Sequence, residues 1–406
     1  MRLSFLIVLV VMLIGCKQNV PASTTIPTYH EFTSYNDFVN TITAIAEIAN
    51  KEDRETALAP FWDSLKTNHQ IPFVFRDSVA FLYRSDGSSI KWAGDFSGWN
   101  PTPGRELGES SVWILEKVFP TDARLDYKVI VGNNWILDPD NGYVQYSGFG
   151  PNSELRMPDW IYPQETILEE GVERGTLSDN QSITASPATL NYKLQYKVYT
   201  PAGYEELSNL SVIYVLDGQE YADDKLGSMI IILDNLISEQ TIPPMIAVFI
   251  DPRNPDNLNE NRRADQYRGN IKFADFVADE LVPVIDASYK TNPNADNRAT
   301  LGTSYGGWGS GFLGVMRSDK FHLIGIHSPA FDNSVIEAYA TSEKLPLKIF
   351  MSTGVISDTQ TQARAMKAVM EEKGYPLEYI EVNEGHSWGN WRALIEEPLV
   401  YFFGKN

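Results

Sequence analysis

The run Ala299-Thr300-Leu301-Gly302-Thr303-Ser304-Tyr305-Gly306-Gly307-Trp308-Gly309-Ser310-Gly311 constrains this chain more than any other stretch. A short apolar segment leads into a G-x-S-x-G pentapeptide, and the small residues after it suit a helix packed closely on a sheet. The pattern predicts strand, sharp turn and helix, with the Ser304 hydroxyl lifted above the strand ends as a nucleophile. Taken alone the pentapeptide is weak, because glycine is common enough for it to arise by chance. Its weight comes from an acid and a histidine further along, each just past its own predicted strand, in the chain order Ser, Asp, His.

The acid is Asp358, on the turn Gly354-Val355-Ile356-Ser357-Asp358-Thr359 after a strand predicted over 347–352. The base is His386, in Asn383-Glu384-Gly385-His386-Ser387-Trp388-Gly389-Asn390-Trp391 after a strand predicted over 377–382. Serine is barely nucleophilic at neutral pH. His386 is therefore expected to take its proton, Asp358 to hold the imidazole tautomer, and the same histidine to protonate the leaving alcohol. Of the other histidines, His30 and His69 precede this region and His322 begins a strand. His327 ends one near the serine turn and is expected to touch substrate, standing behind His386 as the base. Asp332, after that strand, is the second choice of acid, with a surface carboxylate as its plainer reading.

Strands are predicted over 190–200, 212–216, 245–250, 298–302, 323–327, 347–352 and 377–382, with helices over 230–237, 271–288 and 361–373. Alternation of this kind implies an α/β domain with a mostly parallel sheet and active groups at the strand C-terminal ends. Before it, runs over 78–84, 89–94, 112–118 and 125–131 separated by Gly, Asp, Ser and Pro predict a small all-β, immunoglobulin-like sandwich. Helical spacing of apolar residues over 37–65 adds two short helices whose apolar face packs on the body. The expected division is a signal peptide at 1–16, a linker at 17–36, the helical lead-in and sandwich at 37–160, and the α/β domain at 161–406.

The first residues carry a basic start, an apolar stretch over 6–14 too brief to span a bilayer, and the ending Leu13-Ile14-Gly15-Cys16. That ending resembles a bacterial lipobox, which implies an exported chain anchored in the cell envelope through lipid on Cys16, the one cysteine. An ordinary signal peptide with an incidental cysteine is the other reading. The net charge of −20 argues against nucleic acid and against adhesion to anionic lipid by a basic face. A small molecule or a polysaccharide is the expected partner. No cofactor or metal is expected, since no His or Cys cluster has ligand spacing.

Two resemblances sharpen this reading. Ala93-Gly94-Asp95-Phe96-Ser97-Gly98-Trp99-Asn100-Pro101, residues 127–131 and Trp135-Ile136-Leu137-Asp138-Pro139-Asp140-Asn141 resemble the early-set sandwich of glycogen-binding modules. That likeness implies glucan contact at Trp99, Lys128 and Trp135; the alternative is that these residues are core and turn anchors.

Residues 212–218, Arg262-Arg263-Ala264-Asp265-Gln266-Tyr267, Glu280-Leu281-Val282-Pro283, the serine turn and Gly385-His386-Ser387-Trp388 together resemble the esterase family that contains enterochelin, feruloyl and acetylxylan esterases. This second likeness implies an α/β hydrolase acting as a serine carboxylic ester hydrolase, with an oxyanion hole from the backbone N–H groups of Tyr305 and Gln219. Feruloyl or acetyl groups on polysaccharide, or small esters, fit a surface lipoprotein with Trp308, Trp388 and Trp391 at the rim, though packing also accounts for these tryptophans. A catecholate siderophore trilactone is the alternative substrate, its negative charge met by Arg253, Arg262, Arg263 and Arg268, unless these arginines only pair with nearby acids. A third reading is a carbohydrate-binding surface protein on an inactive hydrolase scaffold.

Overall fold

The computed structural model describes residues 31–87 and 89–405; Cys16 and the segment expected to be a signal peptide lie outside the described residues. Helices Tyr35–Ala46 and Lys51–Thr67 begin at Ser34 and Asn50, whose side chains accept from backbone N–H groups of the first turn. Their apolar faces, with Phe38, Ile42, Leu58 and Leu65 buried, cover one side of a four-stranded sheet. Strand Ser78–Arg84 of that sheet alternates: Ala80 and Leu82 meet the helices, while Val79 and Phe81 point the other way. They enter a second core with Trp92, Leu125, Tyr127 and Val129 from a six-stranded sheet. Strand Arg124–Val131 runs through the middle of this second sheet and turns its opposite face, beginning with Arg124 and Asp126, toward the rest of the chain.

The larger body is built on a nine-stranded mixed sheet. Strands Met245–Asp251, Ser211–Leu216, Arg298–Thr303, Leu323–His327, Lys348–Gly354 and Leu377–Val382 lie side by side in that order, all parallel. Strand Lys193–Thr200 joins them antiparallel beside Met245–Asp251, and the short strands Thr176–Leu177 and Gln181–Thr184 pair antiparallel on its outer side. Such a sheet is covered on both faces, so its inner strands read as apolar runs, and two separate buried clusters line its sides.

The helix expected over 271–288 is interrupted. It forms as Ile271–Asp275, a wider π turn at Phe276–Leu281, and Val282–Ser288. Pro283 has no N–H to give the preceding turn and its ring crowds the carbonyl there, so the helix widens just before it. A hairpin of Arg253–Asn254 with Asn257–Asn261 and a helix over Asn333–Thr341 were not apparent from periodicity.

Candidate active site

Strand Arg298–Thr303 ends at Ser304, which takes φ +59° and ψ −117° before helix Tyr305–Met316 begins. This is an unusual backbone for a residue with a side chain, and it is held from several sides. The Ser304 N–H donates to the His327 carbonyl at 3.0 Å, and the Ser304 carbonyl accepts from the Trp308 and Ala330 N–H groups. A Cβ on Gly302 would land on the Gly306 carbonyl, and one on Gly306 would come within 2.9 Å of Asp217 Oδ2. The two glycines of the pentapeptide are thus demanded by close approach.

The structure brings Ser304, His386 and Asp358 together from three loops. His386 Nε2 lies 2.9 Å from Ser304 Oγ, and Nδ1 lies 2.6 Å from Asp358 Oδ1. Asp358 Oδ1 also accepts from the Thr359 N–H at 2.7 Å. Its Oδ2 accepts from the Gly354 N–H at 2.6 Å, from Ser328 Oγ at 2.6 Å and from Asn390 Nδ2 at 3.3 Å. Burial pushes this carboxyl up, but the bonds from His386, Ser328 and Gly354 outweigh it and hold Asp358 below the usual carboxylate range. It stays ionised beside the imidazole. Trp391 stands edge-on to the His386 ring at 4.9 Å and Trp388 packs against Trp391, so the loop is braced from behind.

Tyr305 and Gln219 each lie in the first turn of a helix, where backbone N–H groups have no partner within the helix. Gln219 belongs to the short helix Gly218–Tyr221, entered through Asp217 at φ +56°. Arg263 Nε donates to Asp217 Oδ1 and Oδ2 at 2.7 and 2.8 Å, and Nη2 donates to the Thr303 carbonyl at 3.0 Å. It therefore ties the Gln219 loop to the end of the serine strand. A cavity of about 410 Å³ opens beside the same loop, with Gly218, Gln219, Phe249, Asp251, Arg253 and Leu258 in its wall.

Several expected substrate contacts take other places. His327 is fully buried, with Nδ1 2.7 Å from Ser352 Oγ, and burial lowers its pKa to about 3. A neutral imidazole sealed under the serine turn neither meets substrate nor serves as the base. Trp308 is packed into the core beneath the helix, and Trp388 is buried with its indole N–H donating to Glu220 Oε2 at 2.6 Å. Arg262 donates to Glu260 at 2.7 Å and lies over the Tyr192 ring, while Arg263 is the loop tie just described. Asp332 caps helix Asn333–Thr341. Large aromatic and guanidinium groups near a site are drawn into packing and pairing first, and sequence spacing alone did not separate these uses.

Lys128 and Trp135 lie on the face of the second sheet that also carries Arg124 and Asp126, Trp135 standing opposite Ile130, and Trp135 is 45% exposed. Trp99 sits in the turn beyond Gly94, its indole N–H donating to Asp95 Oδ1 at 3.1 Å.

Residues missed by sequence reasoning include Ser328 and Asn390, which bond Asp358, and the buried Arg124, which reaches Ser387 and Glu384 in the histidine loop. Their only sequence signal was position: Ser328 follows a strand, and Glu384 and Asn390 flank His386.

Burial raises Glu384 to about 7 and Asp217 to about 7. Both then bind protons more tightly folded than unfolded, so stability is fully present below the ordinary carboxylate range and is lost as pH rises toward about 7. The Tm is expected to fall by on the order of a few degrees between about pH 5 and 8, and Glu384→Gln to flatten that slope. A scanning calorimetry series checks this; a Tm that rises over the interval contradicts it.

The sequence model of the family described as Esterase, Putative esterase, matches residues 187–402. The uncharacterized protein YjcH of Bacillus subtilis is 27% identical over 225 residues, covering 52% of this chain and 91% of that protein. The endo-1,4-beta-xylanase/feruloyl esterase of Xylanibacter ruminicola is 26% identical over 222 residues, covering 51% of this chain and 29% of that one. The crystal structure of ferric enterobactin esterase from Salmonella typhimurium superposes with a TM-score of 0.70 at 18% identity, covering 85% of this chain and 98% of that one. At this identity the superposition speaks for the fold, an α/β-hydrolase type with a mixed sheet.

Proposed function

Since the chain belongs to the Putative esterase family and is an enterochelin-esterase-like carboxylic ester hydrolase, we propose that it cleaves its ester through Ser304, His386 and Asp358. The observation that carries this reading is the unbroken pair of contacts at 2.9 and 2.6 Å from serine to imidazole to carboxylate. His386 Nε2 takes the hydroxyl proton as Ser304 Oγ attacks the carbonyl carbon, and the imidazolium is stabilised by Asp358. The carbonyl oxygen, now negative, is received by the N–H groups of Tyr305 and Gln219. Collapse expels the alkoxide, which leaves as alcohol with the proton from His386. Water, deprotonated by the same nitrogen, then attacks the acyl-serine; the acid departs and the proton returns to Ser304.

For the substrate we favour feruloyl or acetyl groups on polysaccharide, or small esters, over a siderophore trilactone. A trianionic ferric catecholate calls for free cations, yet Arg253, Arg262 and Arg263 each pair with a carboxylate. Arg268, over the Tyr305 and Trp308 rings, is the one of the four without an ion pair among the described residues. The feruloyl reading draws further support from the Xylanibacter relative. Glycan contact at Lys128, Trp135 and Trp99 of an early-set domain, and export with lipid on Cys16, belong to the same proposal. An inactive scaffold is disfavoured by the aligned serine and imidazole.

The test is product release from a soluble chain starting after Cys16, on a feruloyl arabinose ester, an acetylated xylan and a catecholate trilactone in parallel. Turnover of the first or second is expected. Turnover of the trilactone alone replaces our substrate; no turnover combined with no labelling by a fluorophosphonate removes the esterase mechanism.

A further inference from the structure

His386 stands in a loop that the larger body does not hold alone. Arg124, at the start of strand Arg124–Val131, is fully buried, and its backbone N–H donates to the Asn383 carbonyl at 3.3 Å. Its Nη1 donates to Ser387 Oγ at 3.1 Å and lies 3.5 Å from Glu384 Oε2. Nε donates to Glu154 Oε1 at 2.5 Å, and Nη2 donates to Asp126. Trp160 Nε1 donates to the other oxygen of Glu384 at 3.1 Å, and Asn383 Nδ2 donates to Asp122 at 2.8 Å. Gly389 lies so close on the guanidinium that a Cβ would overlap it, and a Cβ on Gly385 would overlap the Asp95 carboxyl. Residues before and after His386 are therefore seated on the N-terminal sheet.

Burying one guanidinium among three carboxylates is a poor way to gain stability, because desolvation offsets most of the attraction. Such a cluster fixes geometry instead. Arginine suits it because its planar fork spends donors on two partners of its own sheet and two of the histidine loop, which lysine's single ammonium does not reproduce. The fork is in turn oriented by Glu154, itself held by Arg156, and by Asp126, held by Asn152.

We propose that Arg124 is a positioning residue for ester hydrolysis: by holding Ser387 and Glu384 it sets His386 against Ser304, making the N-terminal sheet part of the catalytic apparatus. The inference rests on the reading of His386 as the base.

It is tested in the full chain with Arg124→Met, Arg124→Lys and Ser387→Ala, by kcat and KM on the ester turned over. A second readout is the low-field proton resonance of the hydrogen between His386 and Asp358. Arg124→Met is expected to lower kcat by about 10²-fold with KM within about twofold, as for a misplaced catalytic group. The resonance should broaden or vanish well below Tm, and Arg124→Lys should recover part of both. A folded Arg124→Met chain with wild-type kcat and resonance overturns the proposal and leaves Arg124 a stability role. If that variant does not fold, Ser387→Ala decides: a several-fold loss of kcat with a weakened resonance supports the proposal, and no change in either overturns it. Turnover that survives Ser304→Ala would sink the catalytic reading itself, while the resonance still reports whether Arg124 holds the loop.

Discussion

Ser304→Ala is expected to lower kcat on any ester the protein turns over by about 10⁴ to 10⁶-fold, with KM and Tm nearly unchanged. The size follows from the division of the reaction: without Oγ there is no acyl-enzyme, and only binding and oxyanion stabilisation of direct water attack remain. Stability should hold because the strained φ of +59° is imposed by the surrounding backbone bonds, which alanine keeps. Neighbouring hydroxyls offer no substitute. Ser310 is buried with its Oγ 2.8 Å from Thr300 Oγ1 and donating to the Gly325 carbonyl at 2.8 Å. Ser328 is spent on Asp358. Stopped-flow hydrolysis beside fluorophosphonate labelling checks the prediction, and near-wild-type turnover or labelling of the variant would move the nucleophile elsewhere.

The parts of this architecture legible in the sequence are those governed by local rules. Strands 323–327 and 245–250 fall where their apolar runs stand, because an inner strand covered on both faces has nowhere to put polar residues. The serine turn was legible for a related reason on one side: Gly302 answers to the backbone of Gly306 four residues on, whereas Gly306 answers to the Asp217 side chain from a distant loop. His386 and Asp358 followed from strand order. What stayed hidden depends on distant partners. Nothing near Arg124 distinguishes a guanidinium that holds residues 384 and 387 from one facing water, since the pairing spans more than 250 positions and appears only when two sheets dock. Trp308, Trp388 and Arg263 show the same limit from the other side. Each is of a residue type suited to substrate, and each is taken by a nearer partner: the core, Glu220 and Asp217.

The environment of Asp358 makes a second large prediction unusually specific. Asp358→Asn is expected to lower kcat by about 10⁴-fold near neutral pH while the chain folds as before. An amide has one acceptor end, and the two carboxylate positions are not equivalent. The Oδ2 position receives two obligate donors, the Gly354 N–H and Asn390 Nδ2, together with the Ser328 hydroxyl. The Oδ1 position receives the Thr359 N–H and faces His386 Nδ1, which alone can exchange donor for acceptor by changing tautomer. The amide oxygen should therefore settle at Oδ2 and the NH₂ group should face His386. Imidazole then carries its proton on Nε2, pointing at Ser304 Oγ, and cannot accept the serine proton. Nitrogen NMR of the labelled imidazole reads the tautomer directly. An Asp358→Asn chain with the proton still on Nδ1 and kcat within about tenfold of wild type would show that the carboxylate's charge and position are dispensable.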